Sequence, residues 1–373
     1  MRALGLMSGT SMDGITVALI ETDGEDRLVR GPALTFPYDA GQRGAIGRAM
    51  AEARELRTRR DRPGSLAATE HMLTERHAEV VADFMQRHAL SHADIDVVGF
   101  HGQTVLHLPD KGMTVQLGDG AQLADLSALT VVHDLRARDI EAGGQGAPLV
   151  PVYHRALVAG LAQRPVVIVN IGGVANVTYV GRDATLIAFD TGPGNALLDD
   201  WMMKRAGVAY DRDGITSGDG KVDEAVLRFC LSHSFFSSAP PKSLDRNAFI
   251  WDVVEWMTLE DGAATLAAFT VAAIAKSREY FPEEPQLWII AGGGRRNRTI
   301  MSGLAGLVQN AVVPAEAVGL DGDAVEAEAW GYLAVRAIKG LPITFPGTTG
   351  VSQPLTGGVI SKPHRSPTKR NES

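Results

Sequence analysis

ALGLMSGTSMDGITVALIE, residues 3–21, is apolar, then passes through glycines and small hydroxyl residues, then becomes apolar again with β-branched side chains. That order reads as strand, tight turn, strand. Because a strand follows the turn, two familiar glycine loops are excluded. A Walker A loop needs Gly-Lys-Ser/Thr entering a helix, and a dinucleotide fingerprint needs G-x-G-x-x-G entering one. The same plan returns in VVIVNIGGVANVTYV, residues 166–180. Two glycine-turned hairpins, each opening roughly half of the chain, predict two similar lobes that present their turns to a shared cleft.

Around these hairpins the pattern predicts an amphipathic helix over Ser65–His88 and a short buried strand over Asp96–Phe100 that ends at HGQT. Thr185–Phe189 reads as a strand running into DTGPGN, followed by a helix over Ala196–Ala206. Leu266–Glu279 reads as a helix, Gln286–Ile290 as a strand, and AGGGRRN (Ala291–Asn297) as the turn into the next helix. Strands alternating with helices place the chain in the α/β class. His133–Pro151, rich in charge, glycine and proline, reads as a long functional loop. From Gly357 onward Ser, Pro, Lys and Arg dominate, and a mobile tail is expected.

The 373 residues carry a net charge of −8, with 45% hydrophobic and 21% charged side chains, as in ordinary globular proteins of two or three folding units. The acidic balance argues against nucleic acid, since Arg136 and Arg138 are too few for a phosphate-backbone footprint. The single cysteine, Cys230, allows no internal disulfide and reads as a buried, inert thiol. The apolar run before Ser8 is too short for a secretory segment, and no stretch reaches the roughly 18 apolar residues of a spanning helix. A cytoplasmic location, away from membranes, is therefore expected.

Within SGTSMDG, small residues let backbone N–H groups approach an anion, so the turn suits a phosphate, with a plain hairpin turn as the alternative. Asp13 would then lie beside the phosphates, where a carboxylate needs an intervening cation, Mg²⁺ held directly or through water. Gly292, Gly293 and Gly294 leave room for a flat adenine ring, flanked by Arg295 or Arg296, or else make a simple strand-to-helix connection. Asp190, at the end of a strand and before a stiff Thr-Gly-Pro-Gly turn, has the mounting of a general base. Its structural alternative is a capping aspartate, but Asn195 is better placed to cap the next helix.

On a helix from about Asp323 to Ile338, Glu326 falls in the middle of an apolar arc and Glu328 on the polar side. Glu326 is thus a salt-bridge partner or a ligand to substrate or water. Arg136 and Arg138 either clamp a substrate carboxylate or pair with Asp134, Asp139 and Glu141. His101, Gln103 and Thr104 offer hydrogen bonds suited to a sugar hydroxyl or amide, whereas His133 and His154 lack metal-ligand spacing.

Taken in order, MSGTSMDG, GFHGQTV, DLRARDIEAGGQGAPLVP, NIGGVANV, FDTGPGN and AGGGRRN resemble the anhydro-N-acetylmuramic acid kinase family, from Gly5 to about Gly340. The resemblance implies the two-lobed, ribonuclease-H-like fold of actin-like ATPases and sugar kinases, with the nucleotide in the interlobe cleft. The lobes would comprise residues 1–137 with about 324–373, the last long helix crossing back, and residues 138–323.

It implies that Gly9, Thr10, Ser11, Met12, Asp13, Gly14, Ile15 and Thr16 form the first phosphate loop, and Gly172, Gly173 and Asn176 belong to the second. Gly292, Gly293 and Gly294 would contact adenosine. Asp190 would be the catalytic aspartate and Glu326 a second active-site carboxylate. Thr104 and Arg138 would hold the sugar, with Gln103, Arg136, Gly192, Gly194 and Asn195 in the same substrate set. Thr16 stands where relatives are expected to have aspartate, so the metal role falls to Asp13 alone.

The implied activity is ATP- and Mg²⁺-dependent opening of a 1,6-anhydro sugar with phosphorylation of its O6, in peptidoglycan recycling, by a homodimer. Alternatives are a kinase of another anhydro sugar such as 1,6-anhydroglucose and, more distantly, a non-enzymatic actin-like nucleotide switch. A dinucleotide oxidoreductase fits least, because both hairpin turns lead into strands.

Overall fold

The computed structural model describes residues 1–9, 12–244 and 248–364. It divides into two compact units, the first made of Met1–Gly146, Glu326–Thr344 and the described residues from Gln353, the second of Ala147–Val325 and Phe345–Ser352. Each unit is built on one sheet.

In the first unit, β1 (Arg2–Ser8) and β2 (Gly14–Thr22) form the antiparallel hairpin read from the sequence, and β3 (Leu28–Pro37) extends it. The first two helices, α1 (Ala40–Glu52) and α2 (Leu66–Arg87), follow. β4 (Val97–Leu108) then runs parallel to β1. β4 does not end at HGQT as expected. After Gly102, at φ +71°, it carries on and pairs its second half with β5 (Met113–Leu117). The partner strand satisfies backbone groups that the isolated sequence gave no reason to extend.

α3 (Gly120–Ser127) leads to β6 (Val131–His133), parallel to β4. The supposed long loop after β6 contains α4 (Ala137–Glu141) and reaches α5 (Pro151–Leu157), the first helix of the second unit.

The second unit opens with β7 (Val166–Ile171) and β8 (Val174–Val180), again an antiparallel hairpin, followed by β9 (Leu186–Pro193) and α6 (Ala196–Ala206). α7 (Ile215–Asp219), α8 (Glu224–Leu231) and α9 (Leu259–Lys276) come next. α9 starts a full turn and more before the expected Leu266, because Thr258 caps it through Asp261 N–H. Then come β10 (Leu287–Ala291), α10 (Arg298–Val308) and β11 (Ala311–Pro314). Cys230 is buried on α8, and burial pushes its thiol pKa up, as expected of an inert thiol.

The chain returns to the first unit in α11 (Val325–Ile338). A short helix, α12 (Pro346–Thr349), belongs to the second unit, and β12 (Val359–Ser361) pairs antiparallel with β6. Of the tail expected to be mobile from Gly357, residues 357–364 are described and include a paired strand, and residues 365–373 lie outside the described residues. Polar composition did not prevent Val359–Ser361 from completing a sheet edge.

Strand orders make the internal repeat explicit. The first sheet reads β3-β2-β1-β4-β6 with β12 added, and the second reads β9-β8-β7-β10-β11. Each is an antiparallel meander of three followed by two parallel strands.

Against the first sheet α11 packs unusually close. A Cβ at Gly5 would overlap the Ala327 carbonyl oxygen, and one at Gly99 would overlap that of Trp330. The far side of α11 is covered too. Tyr332 Oη donates to Glu25 O at 2.9 Å, and Arg336 donates to Gly24 O and Pro342 O. Burial is therefore not a stripe, and Glu328, expected on the polar side, is 2% exposed while Glu326 is half-buried.

Three histidines are buried and neutral, His77 and His101 in the first unit and His154 in the second. Burial pushes the pKa of His77 down to about 4 and that of His154 down to about 3. The unfolded chain binds these protons more readily, so stability is full above about pH 6.5 and falls as the pH drops toward the folded values, by up to about 1.4 kcal/mol per pH unit for each histidine. Urea unfolding at pH 7, 6 and 5 should show this decline, and His154→Gln should flatten it for the second unit.

Candidate active site

In the first unit the loop after β1 is held by a buried chain of hydrogen bonds. Tyr38 Oη lies 2.8 Å from Ser8 Oγ, Ser8 Oγ donates to Gln103 Oε1, and Gln103 Nε2 donates to Gly9 O at 3.2 Å. With Ser8 donating to Gln103, the Tyr38 hydroxyl donates to Ser8, and burial raises its pKa to about 12. Gln103 is fully buried and spends its amide on shaping the loop. Ser8→Ala would strand two buried polar groups at a cost of about 1–3 kcal/mol, measurable as a lower urea midpoint for the first unit.

Of the first-loop residues, Thr10 and Ser11 lie outside the described residues. Met12 N–H bonds Gly9 O at 3.1 Å, Met12 sits at φ +58°, and Asp13 is exposed. Gly14, Ile15 and Thr16 belong to β2, with Thr16 Oγ1 2.9 Å from Thr35 Oγ1 of β3.

Also in the first unit, Trp330 of α11 gathers His101 and Arg136. The His101 ring lies 4.4 Å from the Trp330 ring, and the Arg136 guanidinium 5.2 Å from it. Arg136 Nη2 is 3.1 Å from His101 Nε2, and His101 Nδ1 is 3.2 Å from Ser8 O. Since a carbonyl only accepts, Nδ1 carries the proton and Nε2 accepts from Arg136. Burial, and then the Arg136 charge, hold the His101 pKa well below 6.5, so the imidazole is neutral.

Arg136 also donates to Gly146 O at 2.8 Å, while Asp139 accepts from Gly146 N–H and Asp134 pairs with Arg59. Thr104 Oγ1 accepts from Gln116 Nε2 at 3.2 Å, and Arg138 is exposed.

In the second unit three glycine-bearing segments converge. Gly194 N–H and Asn195 N–H donate to the carbonyls of Gly173 and Gly172 at 2.9 and 2.7 Å, fastening the start of α6 to the hairpin turn. A Cβ at Gly194 would overlap Gly172 O. Gly292 sits at φ +74°, and a Cβ there would lie 2.6 Å from Ile171 O, so β7 and the AGGG turn also touch.

Asn195 does not cap α6 as expected. Its backbone is already helical (φ −80°, ψ −19°), and its side chain donates to Ile171 O at 3.1 Å. Arg295 is likewise committed, to Glu316, Asp323 and Gly292 O, while the exposed Arg296 pairs with Asp323.

Asp190 is not on a projecting turn. It lies inside β9, opposite Asn176 of β8, half-buried, because β8 keeps pairing as far as Pro193. β9 is the sheet's edge, and its outer side is met by the segment 242–244. Asp190 N–H donates to Lys242 O at 3.0 Å, and Leu244 N–H donates to Asp190 Oδ2 at 2.7 Å. Neither Lys242 nor Leu244 stood out in the sequence. The only local signal was Pro240-Pro241, which stiffens the approach to Lys242.

The anhydro-N-acetylmuramic acid kinase family model matches residues 1–363. The chain belongs to that family. It is 52% identical over 364 residues to the anhydro-N-acetylmuramic acid kinase of Rhizobium etli, covering 97% of this chain and 98% of the relative. To that of Azorhizobium caulinodans it is 55% identical over 369 residues, covering 97% and 100%. Among solved structures, an activator of 2-hydroxyisocaproyl-CoA dehydratase from Clostridium difficile aligns over 91% of this chain and 96% of its own, at 14% identity and a TM-score of 0.46. The candidate residues, Asp190 and Glu326 included, lie within the matched span.

Proposed function

We propose that this chain is an ATP-dependent kinase that opens the 1,6-anhydro ring of 1,6-anhydro-N-acetylmuramic acid with water and phosphorylates O6, yielding N-acetylmuramic acid 6-phosphate and ADP. Beside the family membership, the observation that carries the reading is the mounting of Asp190. Its carboxylate is held by Leu244 N–H on a strand whose next residues, Gly192 and Gly194, run up to the second hairpin turn.

Asp190 takes a proton from the water that attacks the anomeric carbon. The C1–O6 bond breaks, O6 takes the γ-phosphoryl group, and the bond from that phosphorus to the β-phosphate oxygen breaks to release ADP. Gly172, Gly173 and the first-loop backbone at Gly9 and Met12 would face phosphates, and the AGGG turn would face adenosine. Glu326 would orient the water or the sugar, with Thr104, Arg136 and Arg138 holding sugar substituents.

Among the described residues no three His, Cys, Asp or Glu side chains converge as a metal cage. Mg²⁺ keeps several waters and is held by one or two carboxylates together with substrate phosphates. Asp13 is the carboxylate that would hold it, and when bound it supplies neutralisation of phosphate charge. From the family we infer a cytoplasmic homodimer acting in peptidoglycan recycling. No helix among the described residues is long and apolar enough to cross a membrane.

The test is mass spectrometry of products from ATP, Mg²⁺ and the anhydro sugar in ¹⁸O-water, sampled early because the anomeric hydroxyl exchanges. A 6-phosphate with a single ¹⁸O at the anomeric hydroxyl supports the reading. No sugar phosphate from this substrate, with product formed from 1,6-anhydroglucose, would transfer the reading to that sugar.

A further inference from the structure

Lys242 is a half-buried cation in an aromatic enclosure. Its ammonium lies 4.6 Å from the Phe235 ring centroid, 5.1 Å from that of Tyr280 and 5.8 Å from that of Phe189. It donates to two backbone carbonyls, Phe235 O at 3.0 Å and Ser238 O at 2.9 Å. Tyr280 Oη donates to the same Ser238 carbonyl at 3.1 Å. Burial, and then Lys276, push the lysine's pKa down. Withdrawing an ammonium from water is costly, and here the return is carbonyl and ring contacts that fix one backbone segment. That segment is the one bound to Asp190, through Lys242 O and Leu244 N–H.

We propose that Lys242 is a positioning residue for the reaction: its side chain fastens the segment 242–244 to Phe235, Ser238 and Tyr280, and the segment in turn aims the Asp190 carboxylate. Three separate parts of the chain thereby bear on one carboxylate oxygen. A displacement of about 1 Å at a reacting group costs about 10²-fold in rate, so a small loosening has a large effect.

The inference rests on the reading of Asp190 as the base, and the experiment separates the two. Lys242→Met, Asp190→Asn and the double variant are assayed for ATP-dependent product formation, with thermal unfolding alongside. Lys242→Met is expected to lose about 10- to 100-fold in kcat, with KM for sugar and ATP within about 2-fold, and Lys242→Arg to recover most of the loss. On the Asp190→Asn background the Lys242→Met change should cost less than about 2-fold more, because its effect passes through the missing carboxylate.

Wild-type kcat in Lys242→Met beside an inactive Asp190→Asn overturns the positioning role alone, as does a loss that multiplies on the Asp190→Asn background. Wild-type turnover by Asp190→Asn removes the base reading itself. If Lys242→Met does not fold, Phe235→Leu keeps both carbonyls and the ammonium while removing one ring face. A kcat fall at constant KM in that variant supports the proposal, and an unchanged kcat overturns it.

Discussion

Asp190→Asn is expected to lower kcat for the anhydro sugar by about 10² to 10⁴, the range a positioned general base contributes, with little change in KM for ATP. The substitution is close to isosteric, so the hydrogen bond from Leu244 N–H to the side-chain oxygen can persist and β9 need not move. What disappears is the ability to take a proton from water while C1–O6 breaks. Rate and isotope content should fall together: the ¹⁸O-labelled 6-phosphate nearly vanishes in the variant while its melting temperature stays within a few degrees of wild type. A variant that turns over at the wild-type rate would dismiss Asp190 as base and shift attention to Glu326, the other carboxylate proposed for the site.

The same residue shows where sequence reading stops. The two hairpins were legible because their information is local: β-branched runs flank glycine-bearing segments, and each strand pairs with its neighbour in the chain. Asp190, read from the sequence as a candidate base on an exposed turn, lies instead inside a paired strand. Thr191-Gly192-Pro193-Gly194 reads as a turn by composition, yet β8 supplies a register as far as Pro193, and that tertiary pairing outweighs the local preference.

Asn195 failed as a cap for a related reason. The start of α6 is fixed by the hairpin carbonyls of Gly172 and Gly173, which set its backbone before any capping geometry can form. Glu326 and Glu328 could not be told apart by periodicity, because α11 is enclosed by Glu25, Gly24 and Pro342 on the side a helical wheel would leave to water. Lys242 lies 52 residues beyond Asp190 and meets it through a backbone hydrogen bond, which no side-chain pattern announces.

The second large effect is structural and falls on Gly5. Gly5→Ala is expected to destabilise the first unit by about 3 kcal/mol or more, at the upper end of overpacking costs, since the added Cβ would overlap the Ala327 carbonyl oxygen and lie 2.6 Å from Gly331 N. Both obstacles are backbone, so no rotamer change relieves the clash. Either β1 or the whole of α11 must shift.

β1 is held on both sides, by β2 and β4, so α11 is the element that yields. Its displacement carries Trp330 away from His101 and Arg136, breaking a ring contact of 4.4 Å and a cation–π contact of 5.2 Å, and it moves Glu326 on the first turn of the same helix. Stability and activity should therefore fall together, with a drop in urea midpoint and a kcat loss even in the fraction that remains folded. A Gly5→Ala variant with native stability would mean that α11 seats less closely on β1 than the glycine contacts require.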